Sequence, residues 1–112
     1  MKIEGTNLEF RDSYNITNIM CVFEFDYWAF VNDRENCKDH IITYDGLRLM
    51  DYLISGYTQK ELTKKIDKHL KLKLSSLANR KIYLKILLER HKLLKQFLKT
   101  AISSDKPVRI SV

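Results

Sequence analysis

His40, His69 and His91 stand 29 and 22 residues apart, and the chain holds no His-x-x-x-His or Glu-x-x-His pair, no Gly-rich phosphate loop and no Gly-x-Ser-x-Gly elbow. Hydrolytic, nucleophilic and phosphate-transfer sites need such groups converging on one reacting atom, so the chain is expected not to be an enzyme. Cys21 and Cys37 lack Cys-x-x-Cys or Cys/His spacing and read as ordinary thiols. The irregular run Asp26, Asp33, Asp39 and Asp45 predicts a solvated acidic surface rather than a metal site, so neither metal nor cofactor is expected. The spacing that does support chemistry is basic and polar. Lys60, Lys64, Lys65, Lys71, Lys73 and Lys81 can each meet a phosphate, while Ser75, Ser76, Asn79 and Arg80 carry the hydroxyl, amide and guanidinium groups that read base edges.

Such groups act together only when a rigid rod presents them, and the second half of the chain is patterned for rods. Residues 45–55 carry Leu47, Met50, Leu53 and Ile54 on one helical face and stop at Gly56, the residue best suited to a left-handed helix end. In Tyr57-Thr58-Gln59-Lys60-Glu61-Leu62, Thr58 and Glu61 are spaced for a reciprocal capping box, with Tyr57 and Leu62 as its hydrophobic staple. Leu62, Ile66 and Leu70 continue the apolar stripe, which predicts a second helix over about residues 59–68. Residues 68–74 alternate with period two and read as an extended link or as more helix.

Ser75 or Ser76 caps a third helix reaching about residue 100. Its inward face draws in part on Leu77, Ile82, Leu84, Ile86, Leu87, Leu94 and Leu98, and its outward face displays Arg80, Lys81, Lys85, Arg90, Lys92, Lys95 and Lys99. Such a rod spans about 37 Å, longer than a small domain covers. It must break near residues 89–91, or its C-terminal stripe of Leu87, Leu94 and Leu98 must pack against another subunit, and a homo-oligomer is expected on that ground. Residues 103–112 read as a tail or a short edge strand.

The first half is less regular. Residues 18–31 form an apolar and aromatic run in which Ile19, Val22, Phe23, Tyr27, Phe30 and Val31 share a helical face, although Phe23-Glu24-Phe25 alternates like a strand; its role is core. Residues 32–40 make a polar connection. The expected fold is therefore mainly α, one domain over residues 1–112. It divides into an acidic, aromatic-rich part (1–40) and a basic helix-turn-helix-like part (45–100), with a short strand or hairpin near the N-terminus.

Charge sharpens that division. The net charge of +6 is the balance of −5 over residues 1–57 and +11 over residues 58–112. A basic half of that size attracts phosphate backbones, anionic lipids or acidic protein surfaces. The sequence lacks an apolar stretch long enough to span a bilayer and a signal-peptide pattern at its start, which points to the cytoplasm and away from membranes.

A helix ending at Gly56, a tightly capped helix, a connection and a long basic helix follow one another as in a helix-turn-helix unit, whose last helix enters the major groove. The interval from Ile66 to Ser75 is longer than the three or four residues between helices of a compact unit. The stretch Asp51-Tyr52-Leu53-Ile54-Ser55-Gly56-Tyr57-Thr58-Gln59-Lys60-Glu61-Leu62 resembles the Asp-Tyr-Leu, Gly, Ser/Thr, Lys-Glu block of the PapB family of fimbrial adhesin operon regulators. Leu74-Ser75-Ser76-Leu77, with Arg80 and Tyr83, is similar to the start of that family's recognition helix. The resemblance covers about residues 45–90. It implies an oligomeric binder of AT-rich double-stranded DNA that represses or activates a surface-structure operon, with contact carried by Ser75, Ser76, Asn79 and Arg80. The competing reading is a small phage-type inhibitor or toxin-immunity protein, whose one charged face would cover the functional surface of a protein target.

Overall fold

The computed structural model describes residues 1–13, 15–23 and 41–109. Among them the fold is mainly helical, with four helices and a small antiparallel sheet. Strand β1 (Lys2–Ile3) and strand β2 (Ile41–Ile42) flank the central strand β3 (Val108–Arg109), which pairs Ile3 with Val108 on one side and Ile42 with Val108 on the other. Because side chains alternate across a strand, Ile3, Ile42 and Val108 are buried together, while Lys2 and Arg109 are exposed. The C-terminal segment, expected as a tail or an edge strand, is thus the centre of the sheet. Its alternating Val108 and Arg109 are too short a signal to mark a middle position, which depends on two strands from distant parts of the chain.

Helix α1 (Ile19–Val22) is short but held at its start from two directions. The Asn18 side chain accepts from the Cys21 amide, and the Asp12 carboxylate accepts from the Ile19 and Met20 amides at 3.0 Å each. Ile19, Met20 and Val22 are buried, as the core role of the aromatic run requires; residues 24–31 of that run and the polar connection 32–40 lie outside the described residues.

Helix α2 (Tyr44–Ile54) starts at Thr43, whose side chain accepts from the Gly46 amide, and buries Leu47, Met50 and Ile54. Leu53, expected on the same face, remains 38% exposed. Gly56 follows with φ of 91°, the left-handed conformation its position predicts. Helix α3 (Gln59–Lys71) carries the full capping box: the Glu61 amide donates to Thr58 Oγ1 and the Thr58 amide donates to Glu61 Oε1, both at 3.2 Å. Leu62, Ile66 and Leu70 are buried along it. The ambiguous residues 68–71 are helical, since Leu70 completes the buried stripe, and the connection to the next helix shrinks to residues 72–76.

Helix α4 (Leu77–Ser103) is unbroken over 27 residues and accounts for the long axis of the molecule, 42 Å against 24 and 23 Å. Both α2 and α3 pack on it. His91 is buried and its Nε2 donates to the Ile54 carbonyl at 2.7 Å, fastening the last turn of α2 to the middle of α4. Leu87, Leu94 and Leu98, the stripe expected to need another subunit, are fully buried within the chain, and Phe97 meets the Phe10 ring at 6.5 Å. The N-terminal segment around Phe10 to Asp12 and helix α1 pack on α4 as well, contacts that a reading of the second half of the chain leaves out. Leu77, Ile82 and Ile86, expected inward, are exposed instead. Arg90, expected outward, is mostly buried: it pairs with Asp12 at 3.3 Å, donates to the Arg11 carbonyl and lies 5.3 Å from the centre of the Phe10 ring.

Candidate nucleic-acid interface

The basic and polar residues singled out from the sequence sit on three consecutive pieces: α3, the five-residue connection and the first turns of α4. Lys60 and Lys64 are exposed on α3, whose inner face is held by Leu62 and Ile66. Lys71, at the end of α3, is exposed but pairs with Asp67 one turn earlier at 3.1 Å. An exposed i,i+4 pair contributes about 0.3–0.5 kcal/mol, so a phosphate can take Lys71 from Asp67 at little cost. Lys73 and Ser75 lie exposed in the connection. Lys73 also acts on His69, whose pKa is lowered from its ordinary value of 6.5 by burial first and by this neighbouring positive charge second.

Ser76 is the N-cap of α4 and its Oγ accepts from the Asn79 amide at 3.4 Å, which leaves its own hydroxyl proton free to donate outward. Asn79 and Lys81 are exposed in the first turns. Arg80 is half-buried, and its Nε has no hydrogen-bond partner among the described residues. Lys65 is differently placed. Its ammonium stands 5.8 Å from the centre of the Phe23 ring and 5.9 Å from that of Tyr57, a cation over two faces that brace α1 against α3. The structure gives Lys65 a packing role.

Sequence reasoning missed the apolar side chains interleaved with these bases. Leu72 is 82% exposed, Leu77 59% and Ile82 58%, with Ile86 further along the same helix. The signal was present. Residues 82–88, Ile-Tyr-Leu-Lys-Ile-Leu-Leu, are apolar around most of the helix circumference, so one packed face leaves others outward. Tyr83 and Leu84 turn toward the core while Ile82 and Ile86 do not.

Electrostatically the three pieces are one-sided. From Lys60 to Lys85 the only acidic residues are Glu61 and Asp67; the first is committed to the capping box and the second to Lys71. The arrangement is a cationic, partly apolar surface, and no cluster of three or more metal-ligating side chains occurs among the described residues. No helix among them is long and apolar enough to cross a membrane. No protein-family model matches the chain, and no curated protein and no solved structure matches it either.

Proposed function

We propose that the chain is a cytoplasmic DNA-binding transcriptional regulator, oligomeric on AT-rich duplex, that presents α3, the connection and the first half of α4 as a helix-turn-helix-like unit. One observation carries the reading. The first half of α4 emerges from a capped start with Asn79, Lys81 and Lys85 exposed, beside Lys60, Lys64, Lys71 and Lys73, while Tyr83, Leu84 and Leu87 on its other side turn to the core. A helix braced by its apolar side and presenting a basic and polar side outward is what entry into a major groove requires. The five-residue connection also brings the spacing nearer to that of compact units than the sequence interval suggests.

Fluorescence anisotropy with AT-rich and GC-rich duplexes at two salt concentrations tests it. Binding should weaken steeply with salt. Arg80→Ala should cost about 1–3 kcal/mol and relax sequence preference, whereas Lys81→Ala should weaken all duplexes alike and lower the salt slope by about one. Absence of salt-dependent binding at low ionic strength would overturn the reading. A second reading, an inhibitor or immunity protein that covers a protein target, is favoured by the exposed Leu72, Leu77, Ile82 and Ile86, since apolar side chains in such number suit a protein surface better than a phosphate backbone. Under it, Leu77→Ser with Ile82→Ser abolishes capture of the target while leaving the modest non-specific affinity for DNA intact.

A further inference from the structure

The outward face of α2 is unlike the basic surface. Tyr44, Arg48, Leu49, Tyr52 and Leu53 are all exposed, Tyr52 at 78%, and the mixture of tyrosine, leucine and arginine is that of interface centres rather than of solvated helices. Together these side chains leave on the order of 500 Å² uncovered. That is most of the roughly 800 Å² a standard interface takes from each partner. Beside them an open groove of about 700 Å³ is lined by Tyr52, Leu53, Ser55, Gly56, Tyr57 and Ile102. Arg48 stacks 5.8 Å from the Tyr44 ring and has no ion-pair partner among the described residues. The Asp51 carboxylate, on the same helix, accepts only from the Ser55 hydroxyl among the described residues, and the Asp45 carboxylate accepts nothing there.

We infer that this face binds a second copy of the chain, α2 against α2, antiparallel across a two-fold axis. The charges carry the choice of occupant. A two-fold axis passing between Leu49 and Met50 sets residue 48 of each copy level with residue 51 of the other, so Arg48 meets Asp51 twice. The same register sets Tyr44 level with Ser55, at the groove that ends beside Tyr57. A helix with one cation flanked by anions on an apolar face is complementary to itself when reversed. The carboxylates of Asp45 and Asp51 repel a phosphate backbone from this face, and the lysines of α3 and α4 are absent from it, so two copies approach here without the repulsion their net charge of +6 would otherwise impose.

This inference deepens the oligomeric part of the proposed function by naming its surface, and it stands or falls without DNA. Sedimentation of the full chain in the absence of DNA should show a dimer at tens of micromolar. Tyr52→Ser should raise the dimer dissociation constant at least tenfold with the helical circular dichroism unchanged, because so exposed a side chain contributes little to the monomer. Arg48→Asp and Asp51→Arg should each be monomeric, and mixing the two variants should restore a dimer, since each then offers the charge the other lacks. A wild-type monomer at about 100 µM, or variants that dimerise as the wild type does, would overturn the interface. Failure of the mixture to associate would overturn the antiparallel pairing of Arg48 with Asp51. A monomer that still binds DNA defeats this inference alone, and a dimer that does not bind DNA defeats only the reading it builds on.

Discussion

Asp12 is 7% exposed at its side chain and serves four neighbours at once: the amides of Ser13, Ile19 and Met20 and the guanidinium of Arg90. Removing one partner of a buried pair leaves the other charge uncompensated, so Asp12→Ala should lose about 3 kcal/mol of stability in chemical denaturation, well beyond an ordinary surface change. Thr58→Ala removes an N-cap and half of a reciprocal box, and the expected loss is about 0.5–2 kcal/mol by the same measurement. His69 contributes a dependence on pH. Burial and Lys73 depress its folded pKa below the ordinary 6.5, so the unfolded chain takes up the proton first as pH falls. Stability from this group is therefore complete above about pH 6.5 and declines as pH drops below it. His69→Gln should flatten that part of the decline when urea midpoints at pH 7.5 and pH 6 are compared with wild type.

At the scale of elements, α4 divides into two halves with different work. Leu94→Ala, at a fully buried position of the second half, should cost about 2–5 kcal/mol through lost burial and the cavity left behind. Ile82→Ser, at an exposed position of the first half, should change stability by no more than about 0.5 kcal/mol. Thermal or chemical denaturation of the two variants checks the division directly. The helix does not break near residues 89–91 because Arg90 and His91 are both engaged there, one with Asp12 and the other with the Ile54 carbonyl, so the middle of α4 is its most anchored stretch.

For the whole molecule, the proposed surface for DNA and the proposed surface for a second copy lie on different helices and carry different charge. Asp67→Asn should free Lys71 from its pair and tighten DNA binding severalfold at low salt, with the gain fading as ionic strength rises; anisotropy titrations at two salt concentrations read both effects. The charge division along the chain, −5 then +11, is only partly a division in space. Glu4 reaches Arg109 at 3.5 Å and Asp12 reaches Arg90, so some of the acid of the first half neutralises base of the second.

The sequence by itself determined the local events. The helix start at Thr58, the start of the third helix to within the pair Ser75 and Ser76, the left-handed Gly56 and the buried stripe of Leu62, Ile66 and Leu70 were all legible, because each depends on residues within a turn or two of one another. The mainly helical class was legible for the same reason. The tertiary structure alone decided which side of α4 is covered. Leu87, Leu94 and Leu98 look no different in sequence from Ile82 and Ile86, and what separates them is which side of α4 the other helices and the N-terminal segment pack on, as the sheet too is assembled from residues 2–3, 41–42 and 108–109. Contacts between segments so far apart leave no periodicity to read, since pairing partners are chosen by the geometry of the folded chain and not by spacing along it.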